Sequence, residues 1–384
     1  MKQDKNINLQ RVYQICTRCV MDTTDPDIYF DNKGICNHCH SFEINQKNHW
    51  FRGVEGERKT TQLVDEIKKE GIGKEYDCII GLSGGVDSAY LAYWGWKHGL
   101  RMLAVHVDAG WNTEMAVKNI ENICKKLKID LITEVIDWDD MRALQKAFFK
   151  SKVVNQDIPQ DHAFFAALYK YSTKNKIKYV LNGYNISSES ALPLAWRGNN
   201  AMDTIHLKAI YKKYGDKKLT HYPFLEVWKM RLYYRIFHNL KIVSPLNLMD
   251  YNKDEALETL KNELDFIDYG GKHNESKFTK YFQSYFLPTI YGFEKRRAHL
   301  SSLVMSRQMT RVEALSELEK PLYQSEVEKN NDIDYFSKKI GISRMEFDQI
   351  MSTPPDKHEN FPNQDNFNQW LDKISAFIRK YTGK

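Results

Sequence analysis

One stretch of the chain has the residue types to hold an anion: Gly81-Leu82-Ser83-Gly84-Gly85-Val86-Asp87-Ser88. The residues before it, 76–82, include Cys78, Ile79, Ile80 and Leu82 and read as a buried parallel strand. The residues after it, 89–98, read as a helix. A strand, a glycine turn and a helix in that order make a phosphate site. Glycines let the backbone approach phosphate oxygens, and the N–H groups that open a helix have no partner inside it. Ser83 and Ser88 add hydroxyl donors. Asp87 by itself repels phosphate, so its simplest role is to hold Mg2+ against the phosphates. No lysine follows the glycines, which excludes the commoner Gly-Lys-Ser/Thr loop, and the glycine spacing of the dinucleotide fingerprint is absent.

A second set of residues could bind metal. Cys16-Thr17-Arg18-Cys19 and Cys36-Asn37-His38-Cys39 are two CxxC knuckles separated by sixteen residues. Each knuckle offers two thiolates from one turn, and two turns close a tetrahedron around zinc. Cys16, Cys19, Cys36 and Cys39 are the expected ligands. His38 and His40 crowd the site and could replace a cysteine, but four thiolates are the simplest set. With all four positions filled, no water can be activated, so such a site is structural.

These residues need a scaffold. Residues 76–185 alternate strand and helix, the pattern of a doubly wound, mainly parallel α/β sheet. The expected strands are 76–82, 101–107, 130–135 and 178–181. The expected helices are 113–127, from 139 to about 150, and from Asp161 as N-cap to about 174. Ligands of such sheets sit beyond the carboxyl ends of the strands. This puts Ser83 to Ser88, His106 to Trp111, Asp137 to Asp140 and Asn182 to Ser190 at the site. Asp108 is either a turn former or a site residue. His106, inside its strand, reads as packed, and His162 is either a surface histidine or a polar group facing substrate.

After residue 185 the alternation stops. The residues 226–240 and 251–264 read as amphipathic helices. The stretch 268–277 holds Lys272 and His273 after two glycines, and 294–299 holds Lys295, Arg296 and Arg297. Two basic runs flanking an aromatic segment are candidates to meet at one anionic ligand. Residues 310–384 read as helical, with a last amphipathic helix at about 365–380. The implied division is a zinc ribbon at 1–50, a nucleotide domain at 60–250 and a helical substrate or partner region at 251–384.

The 384 residues carry a net charge of +6 and 42% hydrophobic residues, with no long uncharged apolar run. That pattern excludes a transmembrane helix. No apolar stretch follows the charged start, so no secretory leader is expected and the protein is placed in the cytoplasm. The charge admits a nucleotide or nucleotide-sugar and does not demand nucleic acid.

The string Ser83-Gly84-Gly85-Val86-Asp87-Ser88 resembles the PP-loop of the ATP pyrophosphatases, which split ATP into AMP and pyrophosphate. With Cys16 to Cys39, Val105 to Trp111, Pro159 to His162, Tyr269 to Ser276 and Lys295 to Ser301, the chain resembles the N-acetyl sugar amidotransferase family of bacterial surface polysaccharide and pseudaminic acid synthesis. The resemblance implies the PP-loop, adenine nucleotide alpha hydrolase-like fold. It implies an acetamido oxygen that attacks the α-phosphorus of ATP, and ammonia that then displaces AMP to leave an acetamidino group. In that reading Ser83, Gly84, Gly85, Val86, Asp87 and Ser88 hold ATP, with Ser83, Asp87 and Ser88 acting on the phosphates. His106, Asp108 and Gly183 border the nucleotide, and His162, Lys272, His273, Arg296 and Arg297 face the sugar.

Cys78 lies in a strand and Cys124 in mid-helix, so neither is placed as a glutaminase nucleophile. A glutaminase partner subunit is the expected ammonia source. A tRNA sulfur transferase also joins CxxC knuckles to a PP-loop, but it needs cysteines at the active site and none lies at the strand ends.

Overall fold

The computed structural model describes residues 12–226, 229–230, 233–234, 238–270 and 275–365. Five strands form one sheet: β1 Cys78–Gly81, β2 Met102–Asp108, β3 Asp130–Val135, β4 Tyr179–Leu181 and β5 Lys241–Val243. Their order is β3-β2-β1-β4-β5 and every neighbouring pair is parallel. The doubly wound sheet is therefore present. β5 was not expected, because three residues with an exposed lysine give too little apolar pattern; it is held by pairing Tyr179 with Lys241.

Alternation along the strands builds two cores. Cys78, Ile80, Met102 and Ala104 face one side, and Ile79, Leu103, Val105 and Val107 the other. The first side is covered by α2 (Gly53–Glu70), α3 (Val86–Lys97), α4 (Glu114–Leu127) and α10 (Lys253–Leu264). The second is covered by α5 (Trp138–Ser151) and α6 (Ile158–Lys174), together with the N-terminal ribbon and the C-terminal helices. Thr113 and Asp137 cap α4 and α5 by accepting from Ala116 and Asp140 N–H groups. The cap of α6 differs from expectation. Asp157 takes the N-cap position, so Asp161 falls inside the first turn. In α2 the Gly56 backbone packs against the carbonyls of Phe51 and Leu248, where a Cβ would stand 2.7 Å and 2.6 Å from their oxygens.

The ribbon makes only isolated antiparallel bridges, Ile15 with Asp22 and Phe30 with Cys36, and the second knuckle runs directly into α1 (Asn37–His49). After β4 come the short helices α7 (Ile186–Glu189) and α8 (Leu194–Arg197), then α9 (Thr204–Tyr214). Beyond α10, an α-turn α11 (Lys277–Tyr281), a π-turn (Phe282–Phe286) and α12 (Leu287–Tyr291) run on without a break. Then follow α13 (Lys295–Met305), α14 (Arg311–Glu319), α15 (Glu326–Ile340) and α16 (Arg344–Ser352). α14 has the full capping box of Thr310 and Glu313.

Trp111, just beyond β2, joins this region to the sheet. Its ring packs 5.5 Å from Trp138, 5.2 Å from Phe278 and 6.0 Å from Phe336. Seven of the fifteen residues of the helix expected at 226–240, residues 366–380 of the last expected helix, and Lys272 and His273 lie outside the described residues. Among the described residues no helix is long and apolar enough to cross a membrane.

Candidate active site

The strand order reverses direction between β1 and β4, and the glycine turn leaves β1 at that point. This is the place where an open parallel sheet leaves a crevice for a ligand. α3 begins at Val86, with Gly85 as its N-cap and no side chain capping it. Its first N–H groups are thus oriented toward the crevice. Gly84 has φ +83°, and a Cβ there would stand 2.6 Å from the Ala116 carbonyl oxygen. Only glycine fits both the angle and the contact.

The two serines brace the turn. Gly85 N–H donates to Ser83 Oγ at 3.2 Å, Ser88 Oγ–H donates to the Gly85 carbonyl at 3.1 Å, and the two hydroxyls are 3.2 Å apart.

Asp87 is held by residues far away in sequence. Tyr251 O–H donates to its Oδ1 at 2.6 Å and Asn185 Nδ2 donates to the same oxygen at 3.3 Å. Burial, then the Asp87 charge, keep the Tyr251 phenol protonated as a donor. Among the described residues no donor meets Oδ2. That leaves one carboxylate oxygen for a cation, which suits Mg2+, an ion that takes one or two carboxylates with substrate phosphates. Asn185 also caps α7, accepting from Ser188 N–H. Tyr251 and Asn185 were not singled out as Asp87 partners from sequence. The only signal was that Asn185 follows a strand end.

Gly183 lies against the start of α3, where a Cβ would sit 3.5 Å from Ser88 N. Asp108, at the end of β2, accepts from Gly110 N–H at 2.8 Å. His106 is buried with both nitrogens engaged: Nδ1 lies 3.0 Å from the Leu82 carbonyl and Nε2 3.2 Å from Asn112 Nδ2. It ties the ends of β1 and β2 together and presents no free nitrogen to a nucleotide.

Tyr269 and Glu275 lie over the turn. Asn119 exchanges two hydrogen bonds with the Ile267 backbone, and Thr113 N–H donates to the Glu275 carbonyl. Tyr269 O accepts from Val86 N–H at 3.3 Å. A Cβ on Gly85 would touch the carboxylate of Glu275 at 3.3 Å and the Tyr269 hydroxyl at 3.4 Å. Burial, then Glu275, hold the Tyr269 phenol protonated.

Beyond the end of β4 is a cavity of about 730 Å3. Tyr184, Glu189 and Arg197 line it from beyond β4, and Lys295, Arg296 and His299 from α13. Among the described residues neither Arg197 nor Lys295 is in an ion pair. Arg296 reaches the cavity, but it is also bonded to Glu294 at 2.9 Å and to the carbonyls of Leu318 and Lys320.

Two expected sugar-facing residues are placed elsewhere. His162 is fully buried, with Nδ1 2.8 Å from the Ala201 carbonyl and Nε2 accepting from Leu225 N–H at 2.8 Å. Burial lowers its basicity, and both nitrogens are satisfied by backbone. Arg297 turns to the ribbon, with Nε 3.1 Å from Asp22 Oδ2 and Nη1 donating to the Val20 carbonyl at 2.6 Å. A buried aspartate explains its orientation better than a ligand does.

The four ribbon cysteines fit zinc. Their sulfurs lie 3.8 Å (Cys16–Cys39), 3.6 Å (Cys19–Cys36) and 3.8 Å (Cys36–Cys39) apart, all buried. The edge of a tetrahedron with metal–sulfur bonds of about 2.3 Å is about 3.8 Å. His38 and His40 do not join them: their Nε2 atoms go to Asp25 at 2.7 Å and Asp31 at 3.1 Å. Cys78 and Cys124 are buried free thiols; burial pushes both up, Cys124 to about 11, so neither is an activated nucleophile.

Comparison with known proteins finds two matching segments. Residues 77–196 match the family described as queuosine biosynthesis protein QueC. Residues 275–375 match the family described as LPS biosynthesis protein WbpG-like, C-terminal domain. No curated protein matches the chain. Among solved structures, NMN synthetase from Francisella tularensis is similar at 16% identity and TM-score 0.36, covering 76% of this chain and 98% of that one. The NH3-dependent NAD synthetase from Campylobacter jejuni is similar at 18% identity and TM-score 0.29, covering 56% and 89%. The chain thus carries a segment similar to the QueC family, with the PP-loop in it, followed by a segment similar to the WbpG-like C-terminal domain.

Proposed function

We propose that the protein is an ATP-dependent amidotransferase that converts the acetamido group of a sugar to an acetamidino group. The observation that carries this reading is an adjacency. Tyr184 and Gly270, which line the cavity, adjoin Asn185 and Tyr269, which bond to Asp87 and to the Val86 N–H, and the cavity's far wall, α13, falls in the WbpG-like segment.

Amide resonance makes the acetamido carbon a poor electrophile, and oxide is a poor leaving group. Attack of the amide oxygen on the α-phosphorus of ATP solves both problems, because AMP leaves where oxide could not. The Ser83, Gly84 and Gly85 turn and the first N–H groups of α3 hold the β- and γ-phosphates and stabilise charge on departing pyrophosphate. Mg2+ at Asp87 would supply further neutralisation of that charge. Gly183 lets the residues after β4 lie close to the turn, and Asp108 borders the nucleotide.

The sugar occupies the cavity, where Arg197 and Lys295 suit an anionic substituent, a nucleotide diphosphate or a carboxylate. Ammonia then attacks the imidate carbon. With no activated cysteine among the described residues, a glutaminase partner is the source that fits. The zinc ribbon serves as a brace and takes no part in the chemistry.

The reading is tested by incubating the protein with ATP, ammonium and a panel of N-acetylated sugars and nucleotide-sugars. Mass spectrometry should find AMP, pyrophosphate and a sugar in which one oxygen has become NH. Release of ADP and phosphate, or turnover with none of the sugars, would overturn it.

A further inference from the structure

α13 reaches the nucleotide end of the sheet through α7. His299 Nδ1 lies 3.0 Å from the Ser188 carbonyl oxygen, and Ser302 Oγ accepts from Ala191 N–H at 3.1 Å. Ser188 N–H in turn donates to Asn185 Oδ1 at 2.9 Å, and Asn185 Nδ2 donates to Asp87 Oδ1 at 3.3 Å. Three hydrogen bonds, passing through Ser188 and Asn185, therefore tie the His299 ring to the carboxylate that follows the glycine turn.

The same ring lines the cavity. Lys295, His299 and Ser302 recur at helical spacing on one face of α13, and all three are in the cavity wall. Among the described residues His299 is the one imidazole there, and it is half-buried.

Its contact with α7 settles where its proton sits. A carbonyl oxygen only accepts, so Nδ1 carries a hydrogen, and in the neutral ring Nε2 then carries the lone pair. A backbone carbonyl that fixes one nitrogen also fixes the direction of the other, which suits an imidazole to take a proton at a set place.

We propose that His299 is the base for the first half of the reaction, with Nε2 taking the acetamido N–H proton as the acetamido oxygen attacks the α-phosphorus. This rests on the amidotransferase reading above. The N–H bond breaks, its proton goes to Nε2, and its electron pair becomes the second C–N bond of an imidate. The carbonyl pair moves to oxygen, which bonds to phosphorus, and the bond from that phosphorus to the bridging oxygen breaks as pyrophosphate leaves. An amide N–H is too weakly acidic to be removed first, so the transfer accompanies O–P bond formation, which acidifies it. When ammonia adds to the imidate carbon, Nε2 returns the proton to the sugar nitrogen. The C–O bond then breaks, AMP leaves with one proton from the new amine, and the carbon ends as an amidinium.

The test uses the full chain and two forms of one sugar that the wild type converts, its N-acetyl form and its N-trifluoroacetyl form. The fluorines make the N–H far more acidic and lessen the need for a base. In His299→Asn the amide can still donate to the Ser188 carbonyl from the position of Nδ1, but nothing replaces Nε2. AMP formation from the N-acetyl sugar should fall about 100-fold, the scale of a general base. The loss with the N-trifluoroacetyl sugar should be less than about tenfold, and ATP binding by calorimetry should stay within twofold of the wild type. In His299→Ala, added imidazole should restore part of the AMP formation. An unchanged rate in His299→Asn, equal loss with both sugars, or loss of ATP binding along with AMP formation would make His299 a brace between α13 and α7 and overturn the proposal, leaving the amidotransferase reading intact. A wild type that forms no AMP with any N-acetylated sugar would instead overturn that reading, and this one with it.

Discussion

Asp87 is aimed by two partners, Tyr251 and Asn185, that hold one oxygen and leave the other to the crevice. Tyr251→Phe removes the shorter of these bonds without opening a hole. A hydrogen bond to a charged group contributes about 1.5–3 kcal/mol, so AMP formation should fall by about 10- to 100-fold while the protein remains folded by circular dichroism. An unchanged rate would show that the carboxylate needs no orientation. Asp87→Ala should remove AMP formation almost entirely, by about 100-fold or more.

His162 makes the opposite prediction. Its ring joins the Ala201 carbonyl to the Leu225 N–H inside the core. His162→Ala strands both backbone groups and should cost about 2–4 kcal/mol of stability, read as a lower denaturant midpoint. The KM for sugar should not change, since the ring does not reach the cavity. From sequence, a histidine at a helix start near strand ends reads equally as a ligand or as core. Nothing local shows that residues 201 and 225 will fold back to it.

At the scale of elements, the glycine turn is decisive. Gly84→Ala would need an alanine at φ +83° with its Cβ 2.6 Å from a carbonyl oxygen. The turn would have to open, and ATP binding by calorimetry should be lost while the sheet persists. Tyr269 gives a finer test. Tyr269 O occupies the Val86 N–H that a phosphate oxygen needs. Tyr269→Phe frees that donor and should tighten ATP binding by about fivefold, the value of one ordinary hydrogen bond of about 1 kcal/mol. Weaker binding would mean that the hydroxyl assists the nucleotide instead of yielding to it.

Elements also explain what the sequence could reveal. The strand, turn and helix around Ser83 are contiguous, and their periodicity and glycines are local signals, so that part of the site was legible. β5 was not, because an edge strand of three residues carries almost no pattern. Nor was the packing of α10 on α3, which draws a helix assigned to the C-terminal region into the nucleotide core. Arg297 read as part of a basic ligand patch because charge runs do not declare their partners. Asp22, its partner, lies in the ribbon.

For the whole molecule, the ribbon matters through what it supports. Arg311 donates from Nε to the carbonyls of Cys16 at 3.1 Å and Cys19 at 3.0 Å, and from Nη2 to Cys16 again at 2.9 Å. Val20 N–H donates to Ser301 Oγ at 3.3 Å. Through α13 and α14 the cysteine knuckles thus brace the cavity wall that carries Lys295 and His299. Removing zinc with a chelator should expose four reactive thiols and raise the KM for sugar before ATP binding weakens. Arg311→Ala should speed zinc loss and give the same split between the two substrates. Equal damage to both substrates would mean that the ribbon supports the whole fold rather than one wall.

The same clamp dictates a folding order. Arg311 grips a carbonyl 295 positions earlier in the chain. During synthesis the knuckles can close on their ion early, but they have no seat until α14 emerges, and contacts so distant in sequence form late. A nascent chain that ends before that point leaves Val20 without the cover that Leu300 and Ala314 give it in the finished fold.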